Sequence, residues 1–459
     1  MLVDRHEQMN MFEVVVPACM GTMDPELQEI DRLLENDTLF AAVKSDMSKR
    51  SPKTSTRGRK GTPVEVIIRM LLLKHLYDWA YEETERRVRD SFSLRQFSRV
   101  YLEKVPDDTV LIRWAQLISL PTLKTMHEHL VHEARVKRIT RGMKMRVDTT
   151  VVETNVHYPT DSSLLQDSVR TLSRMATKIS SVATTSGIHI RNFTRSAKHQ
   201  ALKIIKFTRG RTDEAKDAVK HWYQALCETT RRALTQVETL NEALKDNTSL
   251  KAQRFVQQCA TIVPLVERII SQTRRRIIHK EEVPSAEKVL SLHEPTTSIL
   301  RRGKRAKPNE FGHMVKIQEV DGNIISDIDA LLIVTSDPEL LVPSVERHIK
   351  QFDHPPSHLA TDRGFSSTKN EELVKALHVK YVSLPAKGKL SLERKKFQQQ
   401  RWFKKLQRFR AGSEAKISLL KRRHGLRRCL YKGDSGFIRW AYLGVIACNA
   451  ITIARHVST

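Results

Sequence analysis

The sequence predicts an α/β protein of several domains: a strand-forming core, a helical N-terminal module, and a long helical insertion that splits the core. Three observations lead there. A run of β-branched residues, MRVDTTVV (145–152), is the first strand signal, and strand signals return only after RRGKRAKPNEFG (301–312). Between them, roughly residues 163–290 read as polar-faced helix with almost no Gly or Pro. Before them, apolar residues recur at helical spacing. A length of 459 residues leaves room for about two to four domains. The boundaries expected are 1–61 (a helix and a basic linker), 62–140 (a helical, helix-turn-helix-like domain), 141–162 (the first part of the core), 163–300 (the insertion) and 301–459 (the rest of the core and C-terminal helices).

Residues 24–48 predict one helix, with Leu27, Ile30, Leu33 and Leu34 on one face after the start signal Asp24-Pro25. The stretch SKRSPKTSTRGRKG (48–61) has loop composition, and Arg57, Arg59 and Lys60 in it suit either a solvated tether or an arm that tracks phosphates. Thr62-Pro63 opens a strong helix, since Pro is tolerated in a first turn. EETERRVRDSF is a second helix, SLRQF a turn, and a third helix runs from about Thr109 to Ser119 with Asp107 or Asp108 as its cap. Three short helices with tight connections fit a DNA-reading module or a plain bundle. HEHLVHE is not HExxH, because Val131 stands where the second His is needed, so it reads as helix surface.

Past the insertion, HMVKIQEV, the turn DGN and IISDIDALLIV read as a hairpin. PELLVPSVERHIKQF is a helix, HLATD a strand, NEELVKALHV a helix and KYVSLP a strand. A very basic segment (ERKKFQQQRWFKKLQRFR) leads into the helix SEAKISLLKRR, so Glu414 is expected near a helix start. Tyr442–Ala454 is apolar but too short to span a bilayer, and reads as a buried helix. No signal peptide is expected, and five scattered cysteines without a CxxC pair read as reduced thiols of a cytosolic protein.

Charge gives the first functional pointer. Lys and Arg number 79 against 52 Asp and Glu, a net +27, and a folded chain this basic repels itself unless a polyanion offsets the field. Nucleic acid is the usual partner. Asp148 lies within a strand, where a carboxylate is costly without a partner or a task. Asp362 lies at the end of an apolar strand, where sheet proteins place ligands. Arg410 stands four residues before Glu414 and Lys421 seven after, about 40° and 20° away to the same side on a helix, so all three share a face. Spacing alone fits equally an intrahelical salt bridge or a carboxylate beside phosphate-binding cations. Glu153 and Asp161 read as surface acids ahead of helpers toward metal or DNA, His313, His348, His354 and His358 as surface or core histidines, and Trp402 and Phe403 as packing residues ahead of a platform for a splayed base.

VDTTVVETNVHYPTDSSLL (147–165), ATDRGFSS (360–367) and RAGSEAKISLLKRRHGLRRCLYKG (410–433) resemble the three acidic motifs of DDE transposases from bacterial insertion sequences, most nearly the ISNCY-type group. GRKGTPVEVIIRMLLLKHLYDWAYEETERRVRDSFSLRQF resembles the InsH-type N-terminal domain, and KPNEFGHMVKIQEVDGNI the hairpin between the first two acids. The resemblance implies an RNase H-like core, a mixed sheet flanked by helices. Asp148, Asp362 and Glu414 are then the catalytic carboxylates and ligands of Mg²⁺, with Mn²⁺ able to substitute. Arg410, Lys421 and Arg363 contact DNA there, with Arg57, Arg59 and Lys60 in the linker. The acids are 214 (148 to 362) and 52 (362 to 414) residues apart, and Gln407 stands where the family signature has Tyr. Implied partners are double-stranded DNA, as transposon ends and target, and a second copy of the chain; no membrane is expected, and the location is the bacterial cytoplasm at the nucleoid. A nuclease that cuts without joining and a non-catalytic DNA-binding descendant remain as alternatives.

Overall fold

The computed structural model describes residues 23–49, 61–182, 190–244, 247–301 and 308–458. The chain divides into two compact units, residues 1–155 with 313–459, and residues 156–312.

The first unit begins with α1 (Pro25–Leu34) and α2 (Asp37–Ser48), two helices where the periodicity predicts one. The break has a local cause: the Asn36 side chain accepts from the Thr38 and Leu39 amides and starts a new helix. Next come α3 (Val64–Tyr77), α4 (Tyr81–Asp90), α5 (Phe92–Phe97), α6 (Asp108–Leu117) and α7 (Leu120–Val136). SLRQF, expected as a turn, is most of α5, because the Ser91 hydroxyl caps the Leu94 amide. Asp107 is the cap of α6. Buried Arg69 on α3 pairs with Asp31 of α1 and with Glu65, tying the two helices through a desolvated ion network.

Strand β1 (Lys144–Glu153) follows. The chain then enters the second unit, a helical assembly of α8 (Asp161–Ser180), α9 (Thr194–Thr208), α10 (Asp213–Glu242) and α11 (Leu250–Thr273) packed around their own apolar core. Short β2 (Ser298–Leu300) pairs antiparallel with Glu310–Gly312, the first residues of β3 (Glu310–Val320). Asp161, expected at the surface, is buried and ion-paired with Arg276 at 2.7 Å.

Back in the first unit, β3 and β4 (Ile324–Leu331) form the predicted hairpin. Then come α12 (Asp337–Phe352), β5 (His358–Thr361), α13 (Thr368–Ala376), β6 (Tyr381–Ser383), α14 (Leu392–Gln399), α15 (Arg401–Arg423) and α16 (Gly433–Ser458). The sheet of this unit runs β4-β3-β1-β5-β6, antiparallel in the hairpin and parallel through β1, β5 and β6. The result is a mixed α/β fold, as the sequence predicts at that level.

Helix α16 is long and apolar enough to cross a membrane by length and composition, which the shorter run Tyr442–Ala454 did not suggest. Its apolar window is 83% buried inside the chain. It packs on α1, α3, α7 and β4, and Asn449 at its centre bonds the backbone of β4, accepting from the Ile325 amide at 3.0 Å and donating to its carbonyl at 2.8 Å. His127 also serves that carbonyl, so Asn449→Ala strands the amide alone. The expected loss is about 1–3 kcal/mol of stability, measured by urea unfolding; an unchanged midpoint would mean that the strand repairs the bond elsewhere.

Candidate active site and an adjoining cationic cavity

The register of the parallel pair sets the geometry. Val147 lies opposite Thr361, so Asp148 on β1 is followed alongside by Asp362, the first residue past the end of β5. Helix α15 crosses β1, β5 and β6. It is one continuous helix through Gly412, so Glu414 lies in its middle and not near its start, and part of the basic segment before Glu414 is helical too. The reason is an amphipathic face: Phe403, Leu406, Ser413, Lys416 and Leu420 are buried at helical spacing while Lys404, Lys405 and Arg408 face out.

Three contacts lock this helix to the sheet. The Gln407 amide donates to the Thr361 and Ser383 carbonyls at 3.3 and 3.1 Å, joining the ends of β5 and β6. Arg146 on β1 donates to the Phe409 carbonyl and pairs with buried Glu319 on β3. Gly412 lets the guanidinium through, since a Cβ there would lie 2.3 Å from its Nη1. The Ser413 hydroxyl donates to Asp148 Oδ2 at 2.8 Å.

Arg410 is the centre of the arrangement. Its Nη2 lies 3.6 Å from Asp148 Oδ2 and 3.9 Å from Asp362 Oδ2, and its Nη1 lies 3.0 Å from Glu414 Oε1. One guanidinium thus touches all three acids singled out from the sequence. Asp148 is 6% exposed, whereas the Glu414 side chain is 69% exposed. Burial raises the Asp148 pKa above its ordinary value, and Asp362 pushes the same way, against the Ser413 hydrogen bond and Arg410. Asp362 Oδ1 accepts from the Gly364 amide at 2.8 Å, and Arg363 beside it is exposed.

Two further residues of this site gave no signal in the sequence. Thr149 donates to Asp337 at 2.9 Å, and Asp337 faces Asp362 across Gly364, where a Cβ would come within 2.7–2.8 Å of both carboxylates. Only proximity in the fold distinguishes Asp337 from the other acids. Among the described residues no group of three or more His, Cys, Asp or Glu side chains is gathered closely enough to hold a metal ion. The donor chemistry, carboxylate oxygens alone, fits a hard cation such as Mg²⁺; the cation found among these oxygens is Arg410.

Other sequence candidates fall elsewhere. Arg57, Arg59 and Lys60 lie outside the described residues. Glu153 pairs with Arg428 at 3.3 Å. Phe403 is buried, and Trp402 packs against Tyr381 with ring centroids 5.3 Å apart. Lys421, two turns beyond Glu414, lines a cavity of about 1030 Å³ between the α3–α4 region and the C-terminal segment. Trp79, Tyr81, Tyr431 and Trp440 supply its aromatic walls. Lys74 on α3 is 3% exposed among these rings, its ammonium 4.4 Å from the Trp440 ring centre and 5.1 Å from that of Tyr81, and burial lowers its pKa to about 8.

Residues 19–117 match the family model described as Transposase domain (DUF772). The match spans α1 to α6 and includes one wall of the cavity. It supports a transposase family, and with it DNA as the partner. Neither any curated protein nor any solved structure matches the chain.

Proposed function

We propose that the chain is a DNA transposase of the DDE type with an RNase H-like core, in which Asp148, Asp362 and Glu414 are the catalytic carboxylates. The observation that carries this reading is the convergence of all three acids on the single guanidinium of Arg410. The transposase-domain match, the basic charge and a mixed sheet flanked by helices support it. Asp148, Asp362 and Glu414 are the residues that would hold Mg²⁺, which would supply Lewis-acid chemistry at a phosphodiester.

The chain's own residues prepare the site. Ser413 and the Thr149 amide fix the Asp148 carboxylate from both of its oxygens. The Gly364 amide does the same for one oxygen of Asp362. Arg410 offsets the mutual repulsion of the acids and presents a planar fork suited to a phosphate. The resemblance of the acidic motifs extends the proposal to strand transfer into target DNA by a homodimer.

The test uses the full chain with labelled DNA carrying the inverted repeats that flank its reading frame. The expected result is cleavage at the repeat ends and joined product in Mg²⁺ or Mn²⁺, and neither with chelator. Cutting without joining would reduce the protein to a nuclease, and absence of metal-dependent cutting would sink the reading.

Lys421 separates a phosphate contact from a helix-surface charge. As a phosphate contact, Lys421→Ala leaves thermal melting unchanged and slows single-turnover cleavage roughly ten- to a hundredfold, since one charge-assisted contact contributes about 1.5–3 kcal/mol. Unchanged cleavage would remove Lys421 from the site and leave the three acids in place.

A further inference from the structure

A second cavity, of about 460 Å³, lies on the reverse side of α15 from the three acids. Lys416 stands two residues past Glu414, which turns it about 200° round the helix. The walls are this far face of α15, the last turns of α16 and the hairpin turn at Asn323. Arg146, Lys416, Arg422, Arg455 and His456 line it, and among the described residues no Asp or Glu does. Two of these cations have counter-charges: Arg146 is held by Glu319, and Arg455 by Glu26 at 2.9 Å. Arg422 makes no ion pair among the described residues and donates to the Ser418 carbonyl of its own helix at 3.4 Å. Lys416 is 7% exposed, and among the described residues its ammonium has neither an ion pair nor an oxygen acceptor, only the Cys448 thiol at 4.0 Å. Burial pushes that thiol up, so it stays neutral and supplies no counter-charge. An ammonium buried in this way is costly, and an anionic oxygen in the cavity would offset the cost.

We propose that this cavity binds a phosphate group, seated on Lys416 at its floor with Arg422 at its rim. The two cations not already paired match the charge of a phosphate monoester, about −1.5 to −2 at neutral pH. Asn323, exposed at the rim, adds a neutral donor for a remaining oxygen. Two sources carry this chemistry, a free or small-molecule phosphate and the backbone of DNA. The depth of Lys416 favours the first, because a backbone phosphate carries a sugar on either side and a free one does not. The occupant bridges α15, α16 and the hairpin turn, and so holds from behind the helix that carries Arg410 and Glu414. The inference does not rest on the proposed transposase function.

The experiment uses the full-length protein and two probes, inorganic phosphate and a blunt DNA duplex of random sequence. Chloride at matched ionic strength is the control for general screening. Calorimetric titration counts the phosphate bound, and thermal melting reads the stabilisation. The wild type should take up one phosphate per chain, and at about a hundred times the dissociation constant its melting temperature should rise by about 5 °C. Lys416→Met should weaken binding roughly ten- to a hundredfold, the loss of one charge-assisted contact. Without ligand that variant should melt no lower than the wild type, because a buried charge has gone. A merely structural lysine would do the opposite, lowering ligand-free melting and leaving phosphate binding intact. Arg422→Gln, at the exposed rim, should weaken binding about three- to fivefold without changing ligand-free melting. It decides the matter if the Lys416 variant does not fold.

Phosphate binding that both variants keep in full overturns the inference. If free phosphate does not bind, the duplex decides. A loss of duplex affinity of about tenfold in Lys416→Met, with melting unchanged, assigns the cavity to a backbone phosphate; equal duplex affinities overturn the inference, and so does binding of neither probe. A wild type that takes up phosphate but no DNA supports the cavity and counts against the transposase reading alone.

Discussion

Asp148→Asn, Asp362→Asn and Glu414→Gln are each expected to yield a folded protein that binds end DNA and does not cut it. Each exchange removes a charged oxygen from the group gathered on Arg410 while keeping the shape of the side chain. A rate loss of at least about a thousandfold, roughly 4 kcal/mol of barrier, is the scale expected when a group essential to the reacting centre is lost. Stability should move differently at the three positions. The raised pKa of Asp148 means that folding disfavours its charged form. That penalty is absent at pH below its unfolded value and fully present above its folded one. At neutral pH the neutral Asn removes it, so Asp148→Asn should melt no lower than the wild type. Glu414 is mostly exposed, and its exchange should leave melting unchanged. Single-turnover cleavage of labelled ends, with melting of the same preparations, measures both. One variant that keeps near-wild-type cutting in Mg²⁺ would show that its acid is misassigned.

Glu319→Ala is expected to destabilise the protein by about 3–5 kcal/mol, because it leaves the Arg146 guanidinium buried without its counter-charge. In a unit of this size that lowers the melting temperature by on the order of 10 °C. The functional consequence follows from what else Arg146 holds. It donates to the Phe409 carbonyl, the residue before Arg410, and so sets where α15 presents Arg410 and Glu414. The paired change Arg146→Met with Glu319→Leu should recover most of the stability, since apolar groups of similar volume replace a buried pair at little cost. It should not recover cleavage, because the bond that seats α15 is gone. A Glu319→Ala variant that melts like the wild type would mean the guanidinium finds solvent. A double variant that cuts normally would show that Arg146 has no positioning role.

Much of the first unit was legible in the residues. β-branched runs around 145–152 and the DGN turn predicted β1 and the hairpin, and Asp362 stood at a strand end as read. These are signals of short range, carried by neighbours in the chain. The misreadings were also local. Asn36 capped a helix inside a run that looked continuous, and Ser91 turned SLRQF into α5. Glu414 was expected near a helix start, yet α15 runs on through Gly412, because packing of that helix on the sheet outweighs the roughly 1 kcal/mol cost of one glycine.

The sequence by itself determined the i,i+4 neighbourhood of Arg410 and Glu414, since a helix period needs nothing beyond spacing. Tertiary structure decided that the same guanidinium also reaches Asp148 and Asp362. That depends on the Val147–Thr361 register and on where Gln407 and Arg146 seat α15, and neither is encoded in any window of neighbouring residues. The cavity is the extreme case. Lys74 and Trp79 are separated by more than 300 positions from Tyr431 and Trp440, and each alone reads as a residue of an amphipathic helix or an ordinary loop. Only burial of α16 against α3, driven by apolar area that both helices remove from water, brings the Lys74 ammonium and its aromatic walls together.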